Sequence, residues 1–514
     1  MTGKLRVFVS SVQNELEDER LIVQNLLNTD TFLLQHCAPV LYELEPASPE
    51  KALEGCIAAV DECQVYLLII GQQYGTPVGE ISITHAEYRR AKARELPLLV
   101  FIRGGRGVKR ELGTETLLKE IDADGPKYKR FGNVVELQKE VRAALVKLLK
   151  ERFGRTPSSD ENEIAEQTIE ATSPFESQSM KRLTWEQLDH TVARRLVAAA
   201  EGLDAETIDD TALLQSALLR GFVWHDADAG EHYATAAGII LLARDPSAVF
   251  PQCRVLADAY RSTEADGEPR DHEDIRGPMP AVIERAIRFV DRNTRHPMRV
   301  AGLNRLRLDE YPTEPLREAL VNAVAHRQYE DAGRKILLEV YADRVVVFSP
   351  GLPPKPITVE RLRKGKYKPC SRNPVLAHSL SYFHRIEERG SGFRRMRSGM
   401  LAHGLDAPLL GTDTGYFSVT FPGPGEDLER IAVPESRLVV TPAIEAQLSE
   451  RQKRILQHVL DTGSVTRRWC VAEFDVVNDT AGRDLKSLTE LGLLAAEGRA
   501  RTSVRLAREW GLRR

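Results

Sequence analysis

The sequence predicts a multidomain α/β protein that begins with a doubly wound parallel sheet, continues into an α+β sandwich and ends in a small helix-rich module. Three observations carry that reading. A chain of 514 residues exceeds what one hydrophobic core organises. Through residues 5–149, short apolar runs alternate with amphipathic helical stretches, the pattern of parallel strands joined by crossover helices. Two stretches without apolar periodicity, 156–180 and 421–446, separate the periodic regions. The expected divisions are 1–154, a linker over 155–180, a helical segment over 181–234, a domain over 235–423, a linker over 424–447 and a module over 448–514.

Within the first division, residues 5–10 (LRVFVS) read as a strand, and 14–27 carry Leu16, Ile22, Val23, Leu26 and Leu27 along one helical face. Ser48-Pro49-Glu50 marks a helix start, with serine as cap and proline at the first helical position, ahead of Leu53, Ile57 and Val60. Residues 65–70 (VYLLII) form the continuous apolar run of a strand buried on both faces. A helix over 84–94, a strand over 98–102 and an amphipathic helix over 134–149 complete the alternation. In such sheets the ligand lies beyond the C-terminal strand ends. Further on, Leu183, Leu188, Leu196 and Val197 read as helical, and 262–280 reads as an exposed excursion.

Composition bounds the function. Apolar residues at 42% and charged residues at 28% describe an ordinary soluble globular chain. A net charge of -4 excludes a wholesale nucleic-acid coat and leaves a local basic face open. The six cysteines are scattered with no CxxC pair, which reads as reduced thiols and not as a disulfide framework or zinc site. Every apolar run is shorter than the roughly 18–20 residues a bilayer needs, and the N-terminus turns acidic too soon for a signal peptide. The expectation is a cytoplasmic protein with no membrane partner.

The opening VFVSSVQNELEDER, the IIGQQYG after the third strand and the later ISITHAEYRRA resemble, in order, the TIR-like family catalogued as domain of unknown function 4062. The resemblance covers about the first 150 residues and implies a Rossmannoid fold. TIR domains and nucleoside deoxyribosyltransferases, its wider relatives, cut or exchange N-glycosidic bonds with one glutamate on the helix after a central strand, and Glu87 stands there. One carboxylate suffices for NAD, because nicotinamide leaves a pyridinium as a neutral base. The reaction needs a fixed negative group beside the ribose to stabilise an oxocarbenium-like transition state. By the same resemblance Ser10 and Ser11 would bind phosphate or ribose, Arg20 would pair with a phosphate, Gly71 and Gly75 would let backbone approach, and Tyr74 would form a wall. The alternative for Glu87 is a solvated first-turn glutamate favoured by the helix dipole, and tight turns account for the serines and glycines almost as well. The lead His85-Ala86-Glu87-Tyr88 departs from the Trp-Cys lead of catalytic TIR domains, so the resemblance does not fix NAD as the substrate and the expectation widens to NAD or a related nucleotide.

In the middle region Glu318, Asn322 and His326 recur every four residues on one helical face, opposite Leu320, Val321 and Val324. A carboxylate, an amide and an imidazole in that stack suit water activation and Mg²⁺ binding near a triphosphate. KILLEVYADRVVVFSPGLP follows as a hairpin turning at Ala342-Asp343, then SRNP at 371–374 and IEERGSGFRRM at 386–396. Over about 235–423 these motifs resemble the C-terminal domain of RecG-like and Schlafen-like regulators, a divergent GHKL-type ATPase fold. The resemblance implies Glu318 as hydrolytic base, Asn322 as Mg²⁺ ligand, His326 and Gly351 beside them, and Gly390 and Gly392 in a phosphate-facing loop. GHKL ATPases read adenine with the Asp of Asp-x-Gly-x-Gly; here that place holds Ser349-Pro350-Gly351, so adenine recognition must differ. The alternatives are a polar helix face at a structural interface and an ordinary turn. The runs RLRKGKYK at 361–368 and RRMR at 394–397 read first as a solvated basic face.

At the C-terminus, 448–460 reads as a helix capped by Ser449, followed by a Thr-led helix ending at Gly492, a short apolar strand and an Arg-rich segment. This resembles a winged helix-turn-helix. Thr480, Arg483 and Lys486 would lie on the exposed face of its recognition helix and Arg499, Arg501 and Arg505 in the wing; about four net positive charges suit a phosphate-facing surface. Dimerisation or partner docking is the alternative. Together the parts suggest a bacterial sensor-effector, by fold-level analogy in antiphage defence, in which a TIR-like head acts on a nucleotide. The rival is a nucleotide-responsive DNA-binding regulator with a non-catalytic head. At least a dimer is expected.

Overall fold

A computed structural model describes residues 4–41, 52–226, 229–265, 267–301, 304–384, 391–433, 444, 446–497 and 503–506. The chain forms two compact units, one of residues 1–293, 313–398 and 407–422, the other of 294–312, 399–406 and 423–514.

In the first unit the run VYLLII becomes β3 (Val65–Ile70), the centre of a parallel sheet. Its order is β2-β1-β3-β6-β7, with β1 Leu5–Ser10, β2 Cys37–Val40, β6 Leu98–Arg103 and β7 Lys129–Phe131; the two-residue strands β4 (Pro77–Val78) and β5 (Ile81–Ser82) pair separately. Alternate residues of β1 and β3 face opposite sides and build two cores. Val7, Val9, Leu67 and Ile69 pack beneath α1 (Glu17–Thr29) and the long helix Val134–Phe153; Phe8, Tyr66, Leu68 and Ile70 pack beneath helices Ala52–Asp61, Ile83–Ala93 and Leu112–Asp124. Helices on both faces make the sheet doubly wound, as the alternation implies. Val134–Phe153 starts on the Asn133 side chain, which accepts from Glu136 N, and stops at Gly154 in the left-handed region, φ 63°. The proposed helix start at Ser48 lies outside the described residues; the helix is seen from Ala52.

The stretch read as a linker is ordered. Ser159–Ala171 is a helix opened by a capping box between Ser158 and Glu161 and seated through Ala165 and Ile169, an apolar pair too sparse to show as periodicity. The segment read as helical is mixed: helices His190–Glu201 and Asp210–Leu219 accompany an antiparallel sheet β8-β10-β9 of Ser179–Thr184 (β8), Val223–Asp226 (β9) and Glu231–Thr235 (β10).

A six-stranded mixed sheet follows, in order β12-β11-β15-β16-β18-β17. Its strands are Val255–Ala259 (β11), Asp271–Ile275 (β12), Ile336–Val340 (β15), Arg344–Pro350 (β16), Leu409–Asp413 (β17) and Tyr416–Pro422 (β18). The hairpin at Ala342-Asp343 is β15–β16. The excursion at 262–280 contains the edge strand β12, whose acidic side chains meet Arg254, Arg276, Arg285 and Arg292; a charged edge resists further pairing and hides the strand from an apolar-pattern reading. Helices Met279–Asn293 and Thr313–Ala325 contact the sheet.

The second unit holds the hairpin of β13 (Met298–Ala301) and β14 (Asn304–Arg307), with Arg299 donating to the carbonyls of Leu428 and Ile431. It also holds helices Glu450–Thr462, Arg467–Phe474 and Asn478–Glu490, and an antiparallel sheet β19-β21-β20 of Ser464–Thr466 (β19), Leu494–Glu497 (β20) and Ser503–Leu506 (β21). Ser449 caps the first of these helices in a capping box with Gln452. Among the described residues no helix is long and apolar enough to cross a membrane, and the six cysteines are buried and form no disulfide.

Candidate functional site

Two groups of side chains in the first unit have the makings of a site. At the C-terminal rim of the parallel sheet, Ser10 ends β1 and its hydroxyl donates to Glu87 Oε2 at 2.5 Å. Glu87 lies in the second turn of helix Ile83–Ala93, which Ser82 caps by accepting from His85 N. Both side chains are buried, Glu87 at 5% exposure and Ser10 at 1%. The solvated alternative for Glu87 therefore fails: packing of the helix on the sheet carries the carboxylate inward. Tyr66 of β3 lies buried on the same sheet face, and burial, then the Glu87 charge, pushes its phenol well above its ordinary value. Arg20 reaches the same strand end from α1, donating from Nη1 to Val9 O at 3.2 Å and Ser11 Oγ at 3.0 Å. A buried carboxylate that accepts from a hydroxyl is a fixed negative charge whose field on a neighbouring cation is little screened.

The remaining predicted residues of this rim bond elsewhere. Gly71 starts the loop after β3, and a Cβ there would overlap the Glu15 carboxylate. Glu15 accepts from Gln72 N at 2.6 Å and Gln73 N at 2.8 Å, and Glu111 accepts from Tyr74 N at 2.7 Å, so three successive backbone amides already hold carboxylates. Tyr74 Oη lies 2.7 Å from His85 Nδ1, and His85 Nε2 lies 2.8 Å from Glu120. The hydrogen bond from Arg89, with that from His85, holds Glu120 down at about 2. Gly75 adopts φ 79° against Val12. Neither Glu15 nor Glu111 carries a signal in the sequence, because any polar residue near a turn reads as solvated.

The second group surrounds a cavity of about 980 Å³. Helix Thr313–Ala325 supplies Glu318 and Asn322, and His326 follows its last turn, its N–H donating to Asn322 O; β16 and its exit supply Ser349 and Gly351, and the helix beginning at Gly392 closes one side. Glu318 is buried, pairs with Arg395 Nη2 at 2.6 Å and accepts from Asn322 Nδ2 at 3.2 Å. Burial raises its carboxyl above the ordinary value, against the pull of Arg395. Because the Asn322 amide spends its N–H on Glu318, its carbonyl oxygen is the atom left for a cation. A Cβ at Gly392 would overlap Glu318 Oε1, so glycine is required for this approach. Ser349 does not replace the missing aspartate: its hydroxyl donates to Ala323 O at 2.8 Å and ties β16 to the helix. His326 Nδ1 lies 3.2 Å from Ser371 Oγ. Gly351 has φ 103° and stands against Gln328 and Arg372. Gly390 lies outside the described residues.

The cavity has a further wall that sequence reasoning missed. Thr29 and Thr31, at the end of α1, line it together with Ile164 and Thr168 of helix Ser159–Ala171. The 173–178 segment holds these parts together. Ser177 Oγ accepts from Asn25 Nδ2 at 2.9 Å, and the fully buried Glu176 accepts from Val375 N at 2.9 Å and Leu376 N at 3.1 Å at the start of helix Pro374–His384. Burial pushes the Glu176 carboxyl up to about 8.

In the second unit Arg483 and Lys486 are exposed on helix Asn478–Glu490, and Thr480 is half-buried beside Arg483 at 3.3 Å. Arg499 and Arg501 lie outside the described residues, and of Arg505 only the backbone is described, in β21.

No curated protein matches the chain. One crystal structure, of a Corynebacterium diphtheriae protein from a structural-genomics programme, is similar at 18% identity and a TM-score of 0.38, covering 65% of this chain and 65% of that one, a little under two thirds of its length. Residues 333–421 match the family described as putative ATP-dependent DNA helicase recG C-terminal, a range that includes β15, β16, Ser349 and Gly392 and begins after Glu318 and Asn322. Residues 6–146, with Ser10 and Glu87, match the family described as domain of unknown function (DUF4062), so of the two regions singled out by motif the first is matched nearly whole and the second over its later part.

Proposed function

We propose that the N-terminal domain cleaves or exchanges the N-glycosidic bond of NAD or a related nucleotide, under the control of a nucleotide bound with Mg²⁺ in the middle cavity. The observation that carries this is the buried Ser10–Glu87 pair at the C-terminal rim of a parallel sheet, where such sheets bind ligands. A single desolvated carboxylate beside the ribose stabilises the positive charge that develops as a neutral base departs, and Ser10 keeps it in one rotamer. In the middle cavity Asn322 would hold Mg²⁺ through its carbonyl oxygen, and the ion would supply neutralising charge for a bound phosphate. Glu318, already paired with Arg395, favours binding over turnover. The C-terminal elements would form a winged helix that binds DNA through Arg483 and Lys486.

The test is to incubate the full chain with NAD, ATP and DNA, separately and together, and follow nucleotide loss by chromatography. Loss in the wild type and a fall of at least about 100-fold in Glu87→Gln supports the reading, since removing one transition-state electrostatic group costs about that much. Loss that persists in Glu87→Gln overturns Glu87. A second reading has an observation of its own. The amides of the 72–74 loop are occupied by Glu15 and Glu111, as in a domain that binds partners and does no chemistry. Retarded DNA with no nucleotide loss under any condition would favour that regulator.

A further inference from the structure

We propose that the ligand of the middle cavity is held by two domains, with Thr29 and Thr31 of the N-terminal domain as part of its binding site, and that α1 carries its presence to the Ser10–Glu87 pair. The inference rests on the nucleotide reading for the identity of the ligand and on separate geometry for the second wall.

The cavity, about 980 Å³, runs from Asn322, Gly351 and Gly392 to Thr29, Thr31, Ile164 and Thr168. That volume is at the upper end of the roughly 300–1,000 Å³ of small-molecule sites, so a ligand anchored at Asn322 and filling the space meets the threonines. A smaller cavity of about 40 Å³ continues from the same residues, between Thr29, Thr31, Ile164, Thr168 and Pro374, to Asn25 and Glu176. The Thr29 hydroxyl donates to Asn25 O at 2.7 Å and keeps acceptor capacity, so with Thr31 it offers polar complements to the sugar or base of a nucleoside.

Helix α1 then runs between the two sites. Its C-terminal end borders the cavity, and Gln24 and Asn25 fix its middle to Leu219 O at 2.9 Å and Ser177 Oγ at 2.9 Å. From the turn above, Arg20 donates to Val9 O and Ser11 Oγ, the residues on either side of Ser10, and Ser10 donates to Glu87. A helix of 13 residues moves as a rod. Displacing its C-terminal end shifts Arg20 against the end of β1, and with it the hydroxyl that sets the Glu87 rotamer. Coupling of this kind typically changes affinity about 5- to 150-fold, and by reciprocity a ligand at the rim changes affinity for the one in the cavity.

The experiment uses the full chain. Mg²⁺-ATP is titrated calorimetrically into the wild type, Asn322→Ala and Thr31→Phe, and amide hydrogen exchange is followed over residues 10–11 and 24–29. Thr31 is exposed, so Thr31→Phe tests the wall without burying a misfit. The expected result is loss of binding in Asn322→Ala, about tenfold weaker binding in Thr31→Phe, and exchange slowed about tenfold over 24–29 when ATP binds the wild type. Wild-type affinity in Thr31→Phe together with unchanged exchange over 24–29 overturns the second wall while leaving the nucleotide reading intact. If the wild type binds no nucleoside triphosphate, the nucleotide reading has failed by itself. The rod is then tested by Ala377→Phe, which fills the cavity from helix Pro374–His384. Altered exchange over 24–29 and 10–11 in that variant supports the rod, and exchange identical to wild type overturns it.

Discussion

At the scale of single residues the molecule places three glutamates in shells that a sequence does not show. Glu87 has Ser10 as its hydroxyl partner. Ser10→Ala leaves a buried carboxylate oxygen without that donor, which costs about 1–3 kcal/mol of stability; the measurement is a denaturant midpoint, with nucleotide loss expected to fall along with it because the carboxylate is no longer held in one rotamer. A stability unchanged within about 0.5 kcal/mol would mean that Glu87 finds another donor. Glu176 and Glu17 titrate upward: burial pushes Glu176 to about 8 and Glu17, beside Ser179, Lys181 and Asp226, to about 7 from an ordinary value of 4.5. In both, the folded state holds a proton that the unfolded state has already released. Stability is therefore full below about pH 4.5 and is lost as pH rises through about 7 to 8. The melting temperature should fall between pH 5 and 8, and Glu176→Gln, which cannot ionise, should flatten the upper part of that slope. An equal slope in wild type and Glu176→Gln would remove Glu176 as its source.

At the scale of elements, legibility followed the apolar pattern. VYLLII read as a strand covered on both faces, and it is the centre of the sheet; the i, i+4 spacing of Glu318, Asn322 and His326 brought all three to one cavity. Elements built mainly on polar contacts were not legible. Strand β12 is held by charge pairs, helix Ser159–Ala171 by a capping box and two small apolar contacts, and β8 to β10 pair across a segment whose leucines suggested helix throughout. The sites were legible to the same degree. Glu87 and Ser10 stood at places the fold dictates, whereas Glu15, Glu111, Arg395 and the two threonines reach their places only through tertiary packing. One glycine shows how tightly such packing is set. Helix Ala236–Leu242 is buried along its whole length, and a Cβ at Gly238 would overlap the Phe222 carbonyl. Gly238→Ala should cost about 3 kcal/mol or more, since the obstacle is backbone and cannot rotate away. Gly105→Ala, with nothing within 4 Å of the added carbon, serves as the comparison and should be near neutral. Equal unfolding midpoints for the two variants would show that the Phe222 strand end yields.

At the scale of the whole molecule the question is what the C-terminal module contributes to a chain whose other parts we propose to bind nucleotides. Its helix Asn478–Glu490 buries Ala481, Leu485 and Leu488 and leaves Arg483 and Lys486 outward. The chain as a whole carries a net charge of -4, so any affinity for DNA must come from a local cluster and not from a general field. That makes it fragile to salt and to single substitutions. Each Lys or Arg on a phosphate releases about one counterion, and the slope of log affinity against log salt falls by about one when such a residue is removed. Arg483→Ala and Lys486→Ala should each weaken binding of the full chain to duplex DNA about uniformly across sequences and each flatten the salt slope by about one. If the chain forms the dimer expected from its sequence, and that dimer is two-fold, binding should be tightest on DNA that offers two half-sites one helical turn apart, or a multiple of that. Fluorescence anisotropy at several salt concentrations, with light scattering to fix the stoichiometry, decides between the roles. A slope unaltered by both substitutions, on a chain that nonetheless self-associates, would make the module an assembly device in place of a DNA reader.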